Sequence, residues 1–417
     1  MSQEFFIENE YLKVTVTTWG AQIKSVIRKA DNVEHIWQAD KAVWGYHAPI
    51  LFPHAGKVSQ GKIEAKGGVY ESGQHGFARS MEHEFVEQTA DTRRKLQEHF
   101  RYDPTEKSVF RLSPSTLNDY LDCRLRFYLK HVEGLNPPED INGDVDVAAL
   151  GTIFHKSAEL AYDRLTERGN TIVKEDIDTL LKEQHHIEGF VDEAFRTEFF
   201  HSEPDTPLKY NGTQLIVRHV ICSYLRQLLA IDKRRTPFKY IASEKKIRET
   251  YTVNSHGTQL DVLLGGTIDR MDSKMNESGH EVTRILDYRT GGSLKKIKSI
   301  DELFLSDKPR DGYVFQAFYY SYLIGREYAN RGGISIAPSL LFMRNTSDEA
   351  FEPHILIDNH PVEDFSIYHE RFGQLLDETI EEIFNSDVPY TATTNEEACK
   401  YCKFTSLCGR GKKKSHY

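Results

Sequence analysis

Gly265-Gly266-Thr267-Ile268-Asp269-Arg270-Met271-Asp272, followed by Ile285-Leu286-Asp287-Tyr288-Arg289-Thr290-Gly291-Gly292, carries the reading of this chain. Each stretch is a β-like apolar run that ends on an aspartate, and the turn-rich segment Ser273 to Gly279 joins them. Antiparallel pairing would set Asp269 and Asp287 close together on one face. Two such carboxylates repel unless a divalent cation sits between them, and oxygen ligands suit Mg²⁺ or Mn²⁺. A cation held there activates water and stabilises the charge that builds up in phosphodiester hydrolysis. An exposed hairpin with ordinary turn acids would carry the same letters, so the pattern alone leaves both readings open.

Outward from this hairpin, helical period covers 115–131, 151–168, 174–200, 213–232, 314–330 and 363–385, and residues 92–100 are helix-like. Strand-like segments lie at 239–248, 259–271, 281–288, 336–344 and 352–357. Helices, then a strand meander, then helices with late strands predict a mixed α/β unit, not an alternating doubly wound sheet. His155 lies near the start of the 151–168 helix, as a ligand or as a surface or capping residue. Gln316 and Tyr320 are four apart and share a helical face, either orienting a nucleophile or substrate or packing as core.

Cys399, Cys402 and Cys408 form C-x2-C-x5-C near the end of the chain. A pair spaced this way can place both sulfurs on one metal centre. Thiolates suit zinc or an iron–sulfur cluster, and spacing does not choose between them. Cys123 is a candidate fourth ligand, and Cys222, in an apolar run, reads as core.

Before residue 92 the chain changes character. Tyr11 to Val16 and Gln22 to Ile27 alternate as strands around Gly20, Lys29 to Asn32 is turn-prone, and a glycine-rich stretch runs from Gly56 to Gly76. At 417 residues the prior is two or three domains. The net charge of −10 argues against global, sequence-independent attraction to nucleic acid, but not against a local basic groove. Short basic clusters occur at Lys233-Arg234-Arg235, Lys245-Lys246, Lys295-Lys296 and Lys412-Lys413-Lys414, each also readable as a solvated face. No apolar run approaches the roughly 20 residues of a membrane span, the acidic start lacks signal-peptide character, and five cysteines do not make a secreted disulfide scaffold. The expectation is a soluble, cytoplasmic protein.

Together these segments resemble the RecB/AddB-type nuclease domain of the PD-(D/E)xK superfamily. The resemblance runs through Leu112 to Tyr128, Gly151 to His155, Gly266 to Asp269, Asp287-Tyr288-Arg289-Thr290-Gly291, Gln316 to Tyr320 and the terminal cysteines. It implies a mixed central sheet flanked by helices over about residues 92–411, followed by a basic tail, 412–417. It further implies that His155, Asp269, Asp287 and the Tyr288 carbonyl bind the catalytic Mg²⁺ or Mn²⁺, with Gln316 and Tyr320 in the site. A [4Fe–4S] cluster on Cys123, Cys399, Cys402 and Cys408, single-stranded DNA or DNA ends as substrate, and a helicase partner chain in recombinational repair are also implied. One position departs from the family: Arg289 stands where the motif has lysine. Lysine can help polarise the attacking water, whereas arginine stays protonated and needs more room. Metal binding should therefore survive better than turnover.

Residues 1–91 resemble the start of an aldose 1-epimerase, a galactose-mutarotase-like β-sandwich. The match runs through Gly20-Ala21, Trp37, Trp44, Ala48 to Pro53 and Gln74-His75-Gly76-Phe77-Ala78-Arg79. In that family His75 would contact the sugar ring in acid/base chemistry and Arg79 would bind sugar hydroxyls. The partner histidine and glutamate come from later strands, and neither is found here. A truncated all-β fragment should expose strand edges and half a core. The leading expectation is thus a fusion with a metal-dependent DNA exonuclease-like body. A carbohydrate-binding or isomerase protein and a non-catalytic DNA-binding scaffold are the alternatives.

Overall fold

The computed structural model describes residues 2–8, 11–51, 57–65, 68–84, 96, 100, 111–135, 145–204, 206–255, 258–293, 296–306, 308–329, 333–345, 353–385, 387–405, 407–408 and 410. The chain divides into two units, Met1–Ala90 and Asp91–Tyr417. The expected junction near residue 92, the helix at 92–100 apart from Leu96 and Phe100, Phe52 and Pro53, Lys295 and the 412–417 tail lie outside the described residues.

In the first unit, β1 (Glu4–Glu8), β2 (Leu12–Thr17), β3 (Gln22–Arg28) and β4 (Val33–Glu34) form one antiparallel sheet in chain order. A separate hairpin joins β5 (Lys62–Ala65) to β6 (Gly68–Glu71). Gly20, with φ +68°, turns the chain between β2 and β3, and a Cβ there would lie 2.6 Å from the Arg79 carbonyl oxygen. Among the described residues of this unit, Ala78 is the one buried apolar side chain, while Phe6, Ile7, Tyr11, Trp19, Trp37 and Trp44 are exposed. The sequence expectation of half a core matches this surface.

The second unit contains α1 (Pro114–Asp122), α2 (Arg124–Phe127), α3 (Val147–Thr166), β7 (Thr171–Ile172), α4 (Lys174–Lys182), α5 (Gln184–Phe195) and α6 (Gly212–Arg235). After them come β8 (Phe238–Ser255), β9 (Thr258–Met275), β10 (Glu281–Arg289), α7 (Gly312–Ala329), β11 (Ser335–Phe342), α8 (Ser366–Ile383) and α9 (Glu396–Cys399). Polar residues start the helices: Asp146 accepts from the Ala149 amide at 2.7 Å, and Asn211 and Gln214 cap α6 reciprocally at 2.8 and 2.9 Å.

The sheet order is β11-β10-β9-β8-β7, with β10 and β11 parallel and the other pairs antiparallel. A parallel pair needs a crossover, which α7 supplies. Leu117, Phe315, Phe318 and Phe372 fill one core with Val262 and Leu264 of the sheet. Phe154, Tyr162, Ile187 and Leu225 fill the other, with Leu286 and Tyr288. With helices on both faces, β10 is buried from Thr283 to Tyr288, the polar Thr283, Arg284 and Asp287 included.

Three boundaries differ from the sequence reading. The 174–200 helix breaks at Glu183 (ψ 76°), whose amide bonds three residues back to Leu180 and closes the turn. The 273–279 turn is shorter, because β9 continues to Met275 and Asn276 Oδ1 accepts from the Ser278 and His280 amides. The last long helix begins at Ser366, not at 363, where Asp364 takes the Ser366 amide at 2.9 Å.

Candidate metal centre

The β9–β10 ladder ends at the pair Leu286↔Arg270, so the next residues in register, Asp287 and Asp269, face one another where the strands part. Asp269 Oδ2 accepts from the Tyr288 amide at 2.7 Å, which holds the carboxylate against the strand end. His155, on the third turn of α3, points Nε2 at the Tyr288 carbonyl (3.2 Å) and Nδ1 at Asp269 Oδ1 (3.5 Å). Asp287 Oδ1 accepts from Gln316 Nε2 at 2.7 Å and Arg289 Nη2 at 3.0 Å, while Arg289 Nε lies 2.5 Å from Oδ2. Arg289 in turn stacks 4.5 Å above the Tyr313 ring. The structure therefore brings His155, Asp269, Asp287, the Tyr288 carbonyl, Arg289 and Gln316 together.

The electrostatics follow from crowding two acids in a buried pocket. Burial and then the Asp269 charge push the Asp287 carboxyl up to about 7, against the pull of Arg289. Burial also works against Asp269, but the His155 charge and hydrogen bond hold it below its ordinary value. Burial opposes the His155 charge too, yet Asp269 and Glu244 keep the imidazole protonated up to about 10. Arg289 likewise keeps its proton, because Asp287 outweighs burial. Without a metal, imidazolium and guanidinium do the neutralising that a divalent cation would do.

Sequence reasoning missed Glu244. It lies in β8 between Ser243↔Arg270 and Lys245↔Ile268, opposite Asp269, with φ +46°. That conformation is unusual for a non-glycine residue. Its carboxylate, Asp269 and His155 offer ligand atoms all within 4.8 Å of one another, a set that fits a hard divalent cation. The one available signal was an acid in a strand otherwise read for its apolar period.

Tyr320 is a strand clamp. Its hydroxyl accepts from the Thr267 amide at 3.3 Å, and a Cβ on Gly266 would lie 2.6 Å from that oxygen. Gly265 is needed because β8 passes close by, a Cβ there falling 2.3 Å from the Ile247 carbonyl oxygen. Behind the site lies a buried knot of charge. Arg270 and Arg284 share Asp232 (2.5 and 3.0 Å) and Asp272 (2.8 and 2.7 Å), and Arg235 reaches Asp272 at 3.3 Å.

Of the basic clusters, Lys233 pairs with Asp178, and Lys245 pairs with Glu327 at 3.0 Å. The four cysteines of the terminal constellation are half-buried and unbridged. Burial raises the Cys402 thiol, and Cys123 and Cys399 lie near enough to add to the rise. Arg410 reaches Cys399 Sγ at 3.7 Å and also feels Cys408 and Cys123. The Leu125 amide bonds to Thr391 and Arg126 to Ala398 (3.1 and 3.4 Å), joining the Cys123 segment to the C-terminal one. An all-sulfur set on two segments fits an iron–sulfur cluster or zinc. Cys222 is buried in α6. In the first unit His75 has φ +70° and hydrogen-bonds Gln74 at 3.1 Å, and Arg79 stacks on Tyr46 at 4.9 Å. Among the described residues no helix is long and apolar enough to cross a membrane.

Comparison with known proteins separates the same two parts. The family model of the PD-(D/E)XK nuclease superfamily matches residues 111–409, and that of aldose 1-epimerase matches residues 3–113. Protein LacX of Lactococcus lactis subsp. lactis, in plasmid and chromosomal forms, is 46% identical over 52 residues, 12% of this chain and 17% of each relative. The chain thus spans about a sixth of the length of these curated relatives. A galactose mutarotase-like protein from Lactobacillus casei is 38% identical over 21% of this chain and 30% of its own, with a TM-score of 0.20. A galactose mutarotase related enzyme from Lactobacillus acidophilus is 40% identical over 21% and 29%, also with a TM-score of 0.20.

Proposed function

This chain belongs to the PD-(D/E)XK nuclease superfamily, and from that premise we propose that it is a Mg²⁺- or Mn²⁺-dependent deoxyribonuclease acting on single-stranded DNA or DNA ends. One observation carries the reading. Asp269 and Asp287 face each other at the open end of β9–β10 with His155 beside them. His155, Glu244, Asp269 and the Tyr288 carbonyl would hold the cation, and Asp287 completes the set when Arg289 yields it. The bound cation supplies an activated water and charge neutralisation at the scissile phosphate. Gln316 fixes the Asp287 rotamer. Arg289, permanently protonated, stabilises negative charge on the phosphate and cannot accept a proton from water.

The test is degradation of end-labelled single-stranded DNA with Mn²⁺, beside an Asp287→Ala control. Cleavage that requires both Mn²⁺ and Asp287 supports the proposal. Cleavage retained in the control, or none in the wild type, counts against it. A non-catalytic DNA-binding scaffold is the second reading, favoured by the two-point hold of Arg289 on Asp287. We further propose a [4Fe–4S] cluster on Cys123, Cys399, Cys402 and Cys408, with zinc as the alternative, and a helicase on a separate chain in recombinational repair. Sugar chemistry at His75 and Arg79 would need strands that the aldose 1-epimerase-like part does not include.

A further inference from the structure

A cleft of 660 Å³ opens beside the metal centre, lined among others by Gln316, Tyr313, Asn118, Arg310, Lys400 and Tyr401. Gln316 donates to Asp287, so the cleft reaches the catalytic carboxylates. The volume falls within the roughly 300–1,000 Å³ of ligand-holding clefts, enough for a short piece of extended strand.

Three further acids line the cleft, and each is already engaged. Asp119 holds Arg126, Lys130 and His131 (3.0, 2.8 and 2.8 Å), and Asp122 holds Arg126 and Arg310 (2.6 and 2.9 Å). Asp311 accepts from the Tyr313 and Val314 amides at 2.9 and 3.0 Å. Lys400 Nζ lies 5.3 Å over the Tyr401 ring, and with Arg310 and Lys130 already paired to Asp122 and Asp119, phosphate attraction in the cleft is modest. Affinity must then come from the faces of bases. Tyr401 is 85% exposed, and the Lys400 ammonium 5.3 Å away leaves most of its ring open to a base. Tyr313, 37% exposed under Arg289, offers a second ring. Aromatic platforms spaced along a groove are how single strands are held without sequence preference.

We propose that this cleft is the track for the single strand at the scissile phosphate, with Tyr401 stacking a base. The inference rests on the deoxyribonuclease reading and adds to it the residues that hold the strand.

The test is fluorescence anisotropy of the full chain with a 5′-fluorescein-labelled oligothymidine, with Ca²⁺ in place of Mn²⁺ to limit cutting. Loss of one stacked base, about 1–3 kcal/mol, predicts that Tyr401→Ala raises Kd about 5- to 150-fold while Tyr401→Phe stays within about twofold. Lys400→Ala should lower the salt slope by no more than about 0.7, the share of one phosphate. Wild-type binding with an unchanged Tyr401→Ala would overturn the track and leave the nuclease reading intact. No binding by the wild type would overturn both. The unmutated chain gives a second readout, photocrosslinking to 5-iododeoxyuridine in the same oligonucleotide. Adducts on Tyr401 or Tyr313 support the track, and adducts confined to other surfaces contradict it.

Discussion

Arg289→Lys tests how tightly the second carboxylate is locked. Arg289 grips both oxygens of Asp287, with Nε 2.5 Å from one and Nη2 3.0 Å from the other. Only the Nη2 contact is a hydrogen bond, the Nε contact being an ion pair without hydrogen-bond geometry. A hydrogen bond to a charged group contributes about 1.5–3 kcal/mol, and a cation that recruits Asp287 must break this one. Lysine is a single-point cation and cannot hold both oxygens in a fork. Arg289→Lys should therefore tighten Mn²⁺ binding by about 10- to 150-fold, the equivalent of one such bond. Calorimetric titration of the metal-free chain with Mn²⁺ reads the affinity directly, and cleavage of single-stranded DNA should rise with it. A Kd within twofold of wild type would show that the Arg289 hold on Asp287 does not compete with the cation, and the reasoning would fail.

Four more outcomes follow. Asp232→Ala leaves Arg270, Arg284 and Arg235 around Asp272 alone, and breaking a buried pair costs about 3–5 kcal/mol. At about 2 °C per kcal/mol that is a Tm drop of about 6–10 °C by calorimetry. The same knot sets an acid limit. Burial opposes the Asp272 charge, but Arg284 and Arg270 hold the carboxyl down to about 2. Its stabilisation is therefore full above the ordinary carboxylate range and lost as pH falls toward 2, which acid titration of the unfolding midpoint measures. Where the proposed iron–sulfur cluster is bound, Cys123→Ser and Cys402→Ser should each bleach any visible absorption of the purified protein, and full colour in either variant removes that residue from the ligand set. Deleting residues 1–90, none of whose described residues belongs to either large core, should leave the main unfolding transition within about 2 °C, while that fragment alone should show no cooperative melt.

Much of the site was readable because its parts obey local periods. Asp269 and Asp287 end two β-like apolar runs, and an antiparallel hairpin has few ways to place such residues except opposite one another. Gln316 and Tyr320 follow helical spacing, although their tasks differ: one holds a carboxylate and the other clamps a strand. Glu244 escaped notice because its place depends on one left-handed residue in β8, and such a conformation has no sequence signature in a glutamate. Arg270 and Arg284 escaped for another reason. Charges within apolar strands read as solvent-facing, and only the arrival of Asp232 from α6, 38 residues before Arg270, makes their burial tolerable. The glycine pair 265–266 was quoted for its motif, but its physical need, room for the Ile247 carbonyl and the Tyr320 hydroxyl, lies in contacts distant along the chain.

Anomalous diffraction at the manganese edge, from crystals of the chain soaked in Mn²⁺, bears most directly on the claim that these side chains hold a hard cation. The account predicts one strong peak within about 2.5 Å of His155, Asp269 and the Tyr288 carbonyl oxygen. A structure with no peak there, at manganese concentrations that occupy other sites, would contradict it.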